Sequence, residues 1–240
     1  MRKVKSQKSE VKRFAGQPAR TEIKMTQFDV SQADCTSVRV SDSLENIIEQ
    51  LRASSTPAEA IAIIEAIAAY RTPDAIPPLI EALSHHHPGV RAVATSQLIQ
   101  LASLSLEALI STYYTATDQG VQAHIIQALA QIGDCQAIAI LEEVVGVSVA
   151  NHCQGNVRRI AARGLGKIGS TAIDAQIIHR AVDKLSWALL SPEDWALRYA
   201  AALSLAEIGT PEAIAVLQQA LTQESDRVVQ IRIRMALAGG

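Results

Sequence analysis

VRRIAARGLGKIG, residues 157–169, decides the fold of this 240-residue chain. Its apolar residues recur at the three-and-four spacing that lays one stripe along one face of a helix. The line returns as VRAVATSQLIQL from 90, VQAHIIQALAQIG from 121, LRYAAALSLAEIG from 197 and VQIRIRMALA from 229, with starts 31, 36, 40 and 32 residues apart. A second line follows the first: RTPDAIPPLIEAL from 71, GDCQAIAILEEV from 133 and GTPEAIAVLQQAL from 209. Gly133, Gly169 and Gly209 suit the left-handed position that ends a helix. Thr72, Asp134 and Thr210 suit the N-cap, with Pro73 and Pro211 at the first helical position.

Each unit therefore reads as helix, tight turn, helix, and helix pairs at this period stack into a solenoid. The expected fold is all-α: an α-solenoid of roughly five to six helix pairs over residues 41–240, whose VRxxAAxxLxxIG line resembles HEAT-type repeats. Its concave face, built mainly from the second helices and the loops before them, is the expected binding surface. Composition agrees with a helical core. Apolar residues make up 48% and aromatics only 3%, so alanine and aliphatic side chains fill the interior at short helix separations.

Charge is unevenly spread. Residues 1–24 carry eight Lys or Arg against Glu10 and Glu22, whereas the rest carries 14 basic and 22 acidic residues. Residues 1–40 read as a disordered basic and polar arm. A start at Met25 is one alternative; a transit peptide is another, though no amphipathic pattern supports it. An acidic body argues against nucleic acid as the main partner. Cys35, Cys135 and Cys153 form no CxxC pair, so neither a disulfide framework nor a zinc site is expected, and the usage suits a reducing cytoplasm. No apolar run reaches membrane-span length. His85, His86 and His87 before Pro88-Gly89 read as an inter-repeat turn rather than a metal tract, and Cys135 as structural.

NHCQGN, residues 151–156, interrupts the helical pattern. The expectation is a loop in which Asn156 caps the helix that starts at Val157 and Gly155 frees the approach angle. Cys153 would then lie about a turn before a positive helix end, close to Arg158 and Arg159, which favours thiolate. His152 titrates near neutrality and can carry protons. A second enlarged stretch, SWALLSPEDW at 186–195, holds both tryptophans.

NHCQGN followed by a VRRxAARGLG helix resembles the F-type subunit of phycoerythrocyanin α-subunit phycocyanobilin lyase-isomerases. The wider body, including DWALRYAAAL from 194, is similar to the E/F-type phycobilin lyases of cyanobacteria. The resemblance covers roughly residues 41–240, and the basic arm is a departure from it. It implies a heterodimer with an E-type lyase subunit. That pair attaches phycocyanobilin, bound as substrate and not as a cofactor, by a thioether to a cysteine of the apo-phycoerythrocyanin α subunit and isomerises it to phycoviolobilin. By position, His152 and Cys153 are tied to the isomerisation. Cys153 is the expected transient nucleophile and His152 the expected proton shuttle.

Bilin contacts are expected from Asn151 and Gln154 (lactam oxygens, or the orientation of His152), with Asn156 beside them. Asp194 would accept pyrrole N–H groups, Trp195 or Tyr199 would stack, and Arg158, Arg159 and Arg198 would pair with propionates. Asp194 as an N-cap and Tyr199 as half core are the structural alternatives. The rival functions are a plain phycocyanobilin lyase subunit and a non-catalytic scaffold in phycobilisome assembly or turnover.

Overall fold

The computed structural model describes residues 43–146, 152–191 and 194–239, with backbone alone at 152–154. All of these lie in one compact unit, Val38–Gly240. The basic arm over 1–40 and Asn151 lie outside the described residues.

Twelve α-helices and four short 3-10 turns make up the described regular structure. They are α1 (Leu44–Ala53), α2 (Pro57–Ala69), α3 (Ile76–Glu81), α4 (Pro88–Leu101), α5 (Leu106–Thr115), α6 (Gln119–Ile132), α7 (Ile138–Gly146), α8 (His152–Thr171), α9 (Ala175–Leu190), α10 (Trp195–Ile208), α11 (Pro211–Gln223) and α12 (Arg227–Ala238). The recurring line forms α4, α6, α8, α10 and α12, which together with α2 pack side by side in one row. The second helices α3, α5, α7, α9 and α11 lie beside them. That gives five complete pairs, α2/α3 to α10/α11, with α1 and α12 as single helices at the ends.

The register explains the core. Val90, Leu197 and Val229 open their copies of the line fully buried. Four residues on, Ala94, Ile125, Ala161, Ala201 and Ile233 have no exposed surface, and eight on, Leu98, Leu129, Leu165 and Leu205 have none either. A stripe at i, i+4 and i+8 is what a helix buries against its neighbour.

The turns follow the sequence in part. Gly133 and Gly209 adopt φ of 73° and 66° and close α6 and α10, the left-handed conformation that L side chains resist. Asp134 and Thr210 accept N-cap hydrogen bonds from the Gln136 and Ala213 amides. Thr72 occupies its cap position without the cap bond: its hydroxyl is buried with no partner. Gly169 is not a C-cap, because α8 continues to Thr171.

A larger correction concerns NHCQGN. Residues 152–156 are helical, not a loop ahead of a helix at Val157. The line's first residue is the third of its helix in α4, α6, α10 and α12, but the sixth in α8. The helix has gained about one turn at its N-terminus, and the added residues are His152, Cys153 and Gln154. Asn156 is thus an exposed residue in the second turn, not a cap, and Gly155 is a buried helical residue. Packing on α6, α7, α9 and α10 overrides the weak helix propensity of glycine and asparagine. Likewise SWALL at 186–190 is the last stretch of α9, so Trp187 rides on a helix.

α6 and α8 meet closely at Gly164, where an added Cβ would lie 2.7 Å from the Ala130 Cα. Gly164→Ala is expected to lower stability by about 1–3 kcal/mol, despite its better helix propensity of about 1 kcal/mol. A thermal melt at wild-type temperature would contradict this seam. Among the described residues no single helix is long and apolar enough to cross a membrane. The bent pair that passes on composition, Pro88–Leu104 with Leu106–Thr115, turns by 119°.

Candidate functional site

The second residue of the recurring line is Arg91, Gln122, Arg158, Arg198 or Gln230. All but Arg198 reach back toward the segment that leads into their helix. Arg158 Nε donates to the Val145 carbonyl at 3.0 Å. Arg91 Nη1 donates to the His85 and His86 carbonyls at 2.8 and 2.9 Å. Gln122 Nε2 donates to Tyr113 and Ala116, and Gln230 Nε2 to the Glu224 carbonyl. The position thus ties successive units together by satisfying carbonyls that a helix end or turn leaves without partners.

Three of these side chains, Arg91, Gln122 and Arg158, also line a groove of about 690 Å³, within the usual small-molecule range of about 300–1,000 Å³. It runs where the last turns of the second helices hand over to α4, α6 and α8. Leu83, Ala123, Ile126, Val144 and Val157 give it an apolar floor, and His85, His86, His124 and Tyr113 add polar points. Most of its polar lining comes from the first helices and their approach loops, not from the second helices on which the sequence placed the binding surface.

The electrostatics are one-sided. Arg158 is only 7% exposed. Burial lowers its hold on its proton, and the charge of Asp194 opposes that effect. Burial, then the neighbouring Arg91 charge, lowers the His124 pKa below its ordinary value. Arg91 Nε donates to His124 Nε2 at 3.3 Å. His124 Nδ1 lies 3.2 Å from the Thr95 hydroxyl, which itself donates to the Arg91 carbonyl. These contacts assign the proton of neutral His124 to Nδ1, which donates to Thr95. The one carboxylate among the groove's described lining residues, Asp118, caps α6 by accepting from the Val121 amide at 2.8 Å.

The added turn of α8 connects the sequence motif to this groove. Positions 153 and 154 stand one helical turn ahead of Val157 and Arg158 on the same face, and both of those line the groove. The side chains of His152, Cys153 and Gln154 lie outside the described residues.

Of the other expected contacts, Arg159 bonds the Gly155 carbonyl through Nε at 3.0 Å and is absent from the groove lining. Asp194 is the N-cap of α10, accepting from the Ala196 amide at 2.9 Å. Trp195 follows it, half exposed, and Tyr199 is half-buried. Arg198 does not join the groove. It forks onto Glu224 and lines a separate hollow of about 260 Å³. Arg91, Tyr113, Asp118, Gln122 and His124 were not singled out from the sequence. The signal for Arg91 was its repeat register: it stands where Arg158 stands, two copies earlier. Among the described residues, no group of three or more His, Cys, Asp or Glu side chains is placed to hold a metal ion.

The chain matches the HEAT-repeat family over residues 44–111 and 145–238. A bilin biosynthesis protein PecF from Nostoc sp. (strain PCC 7120) is 62% identical over 165 residues, which span 69% of this chain and 95% of that one. A bilin biosynthesis protein PecF from Mastigocladus laminosus is 52% identical over 197 residues, 80% of this chain and 93% of that one. The chain belongs to the PecF family of bilin biosynthesis proteins. Among solved structures, the complex of CpcE and CpcF of phycocyanin lyase from Nostoc sp. PCC7120 matches with a TM-score of 0.60 and 26% identity, covering 68% of this chain and 98% of that chain. The groove and the added turn of α8 are therefore features of a PecF-family HEAT solenoid.

Proposed function

We propose that this chain is the F-type subunit of a heterodimeric lyase-isomerase. The pair attaches phycocyanobilin to a cysteine of the apo-phycoerythrocyanin α subunit and converts it to phycoviolobilin. The observation that carries the reading is the extra helical turn His152-Cys153-Gln154 beside the groove, in a chain of the PecF family. The likeness to a solved CpcE–CpcF complex supports an E-type partner.

Attachment is an addition. The acceptor cysteine's S–H adds across a carbon–carbon double bond of ring A, sulfur to one carbon and the proton to its neighbour. Isomerisation is a proton shift with no net change in composition: one carbon loses a proton, another gains one, and the double bond moves from the A–B methine toward ring A. A cysteine in the first turn of a helix sits among free N–H groups at the positive end of the helix dipole, which favours its thiolate. Added reversibly to the bilin, that thiolate interrupts conjugation and eases the shift. His152 carries the proton.

The test is omission. Co-expression of this chain, an E-type subunit, a phycocyanobilin source and the apo-phycoerythrocyanin α subunit is expected to yield covalent bilin on the α subunit, scored by zinc-enhanced fluorescence on a denaturing gel. Leaving out either lyase subunit should remove the signal. Equal labelling without this chain would refute the reading.

A further inference from the structure

We propose that Arg91 and Arg158, on the two helices that flank α6, are carboxylate anchors that each take one propionate arm of the linear tetrapyrrole in the groove. The proposal rests on the bilin reading above and extends it to Arg91, on the opposite flank of the groove from the HCQ turn.

Three observations carry it. First, both guanidiniums line the same groove, yet neither forms an ion pair among the described residues, whereas Arg163, Arg180 and Arg198 each have a glutamate. Second, both are fixed in place from behind by backbone carbonyls, so part of the ordering penalty of binding is already met. Arg158 uses Nε for Val145, and Arg91 uses Nε and Nη1 for His124 and the His85–His86 turn. Arg158 keeps both terminal nitrogens and Arg91 its Nη2 for a ligand. Third, the cavity between them is mainly apolar. An apolar body with two separated anionic arms fits such a surface; a compact polyanion does not. A carboxylate received there is shielded from bulk water, where charge-assisted hydrogen bonds are strongest.

The repeat supplies a mild substitution. Glutamine fills the same register at 122 and 230 and keeps the bond to a preceding carbonyl. Arg91→Gln and Arg158→Gln therefore remove charge while retaining the tie between units, and circular dichroism melts check that they fold.

The experiment titrates phycocyanobilin and its dimethyl ester, in which both propionates are neutral, into this chain paired with an E-type subunit, and follows bilin absorbance. Wild type is expected to bind the free acid about a hundred-fold more tightly than the ester, about ten-fold for each anchor. Each variant should weaken the acid by about that single-anchor factor and leave the ester unchanged. Equal affinity of wild type for acid and ester, or variants that weaken both forms alike, would overturn the anchors while leaving the bilin reading intact. No binding of either form would overturn both.

Discussion

Cys153→Ser is expected to yield α subunit carrying attached phycocyanobilin and no phycoviolobilin. Attachment uses the acceptor's own thiol, whereas the double-bond shift is assigned to a transient thiolate at the start of α8. Serine keeps the size and the helix position but is not ionised near neutrality, so the covalent route to the shift is lost. His152→Ala should also leave attachment in place while slowing isomerisation by roughly 10²–10⁴-fold, the usual contribution of a positioned acid–base group. Both outcomes are read from the bilin colour of the denatured product. A Cys153→Ser product carrying phycoviolobilin at the wild-type rate would remove the nucleophile from the mechanism.

Glu224→Ala should produce the largest loss of stability, about 3–5 kcal/mol. Its side chain is 4% exposed and that of Arg198 14%. Arg198 donates through Nε at 2.7 Å and Nη2 at 3.0 Å, and the Asp226 amide adds a third bond to the carboxylate at 2.8 Å. This fork ties α10 to the turn between α11 and α12. Removing the carboxylate takes two charge-assisted hydrogen bonds from a largely buried guanidinium. Chemical denaturation measures the loss; a change below about 1 kcal/mol would mean that the pair behaves like an exposed one.

The same pair sets a pH dependence. Burial alone would raise the Glu224 carboxyl, but the Arg198 fork and the backbone amides outweigh it and hold it below its ordinary 4.5. A carboxyl depressed in the folded state stabilises fully above its unfolded value and loses that contribution as pH falls through the folded one. Wild-type stability should therefore drop below about pH 4.5, and the drop should shrink in Glu224→Ala.

The repeat was legible because helix burial writes itself into one stripe. Ala94, Ile125, Ala161 and Ala201 share one register, as do Leu98, Leu129, Leu165 and Leu205, and neighbouring helices must bury them. The start of α8 was misplaced for a physical reason. Gly155 and Asn156 favour a break by local preference, and the packing that keeps Gly155 helical is tertiary. The stretch 186–195 was read only as an enlargement between units, and its first five residues instead complete α9. The groove was hidden because it is assembled from three units. Arg91, Gln122 with His124, and Arg158 lie more than thirty positions apart along the chain and meet only when α4, α6 and α8 stack. His85 and His86 were correctly read as a turn between units, but their place on the groove's rim follows from the carbonyl bonds to Arg91, which no local pattern records.

Whether this chain confers isomerisation as well as attachment is decided by the absorbance spectrum of the denatured product. The α subunit would be made with this chain, an E-type subunit and a phycocyanobilin source, then unfolded in acid urea so that only the bilin's own conjugation sets its colour. Absorption is expected at shorter wavelength than that of a denatured phycocyanobilin adduct, because the methine between rings A and B has left the conjugated path. An adduct with the unshifted phycocyanobilin spectrum would contradict it and leave the chain a lyase subunit alone.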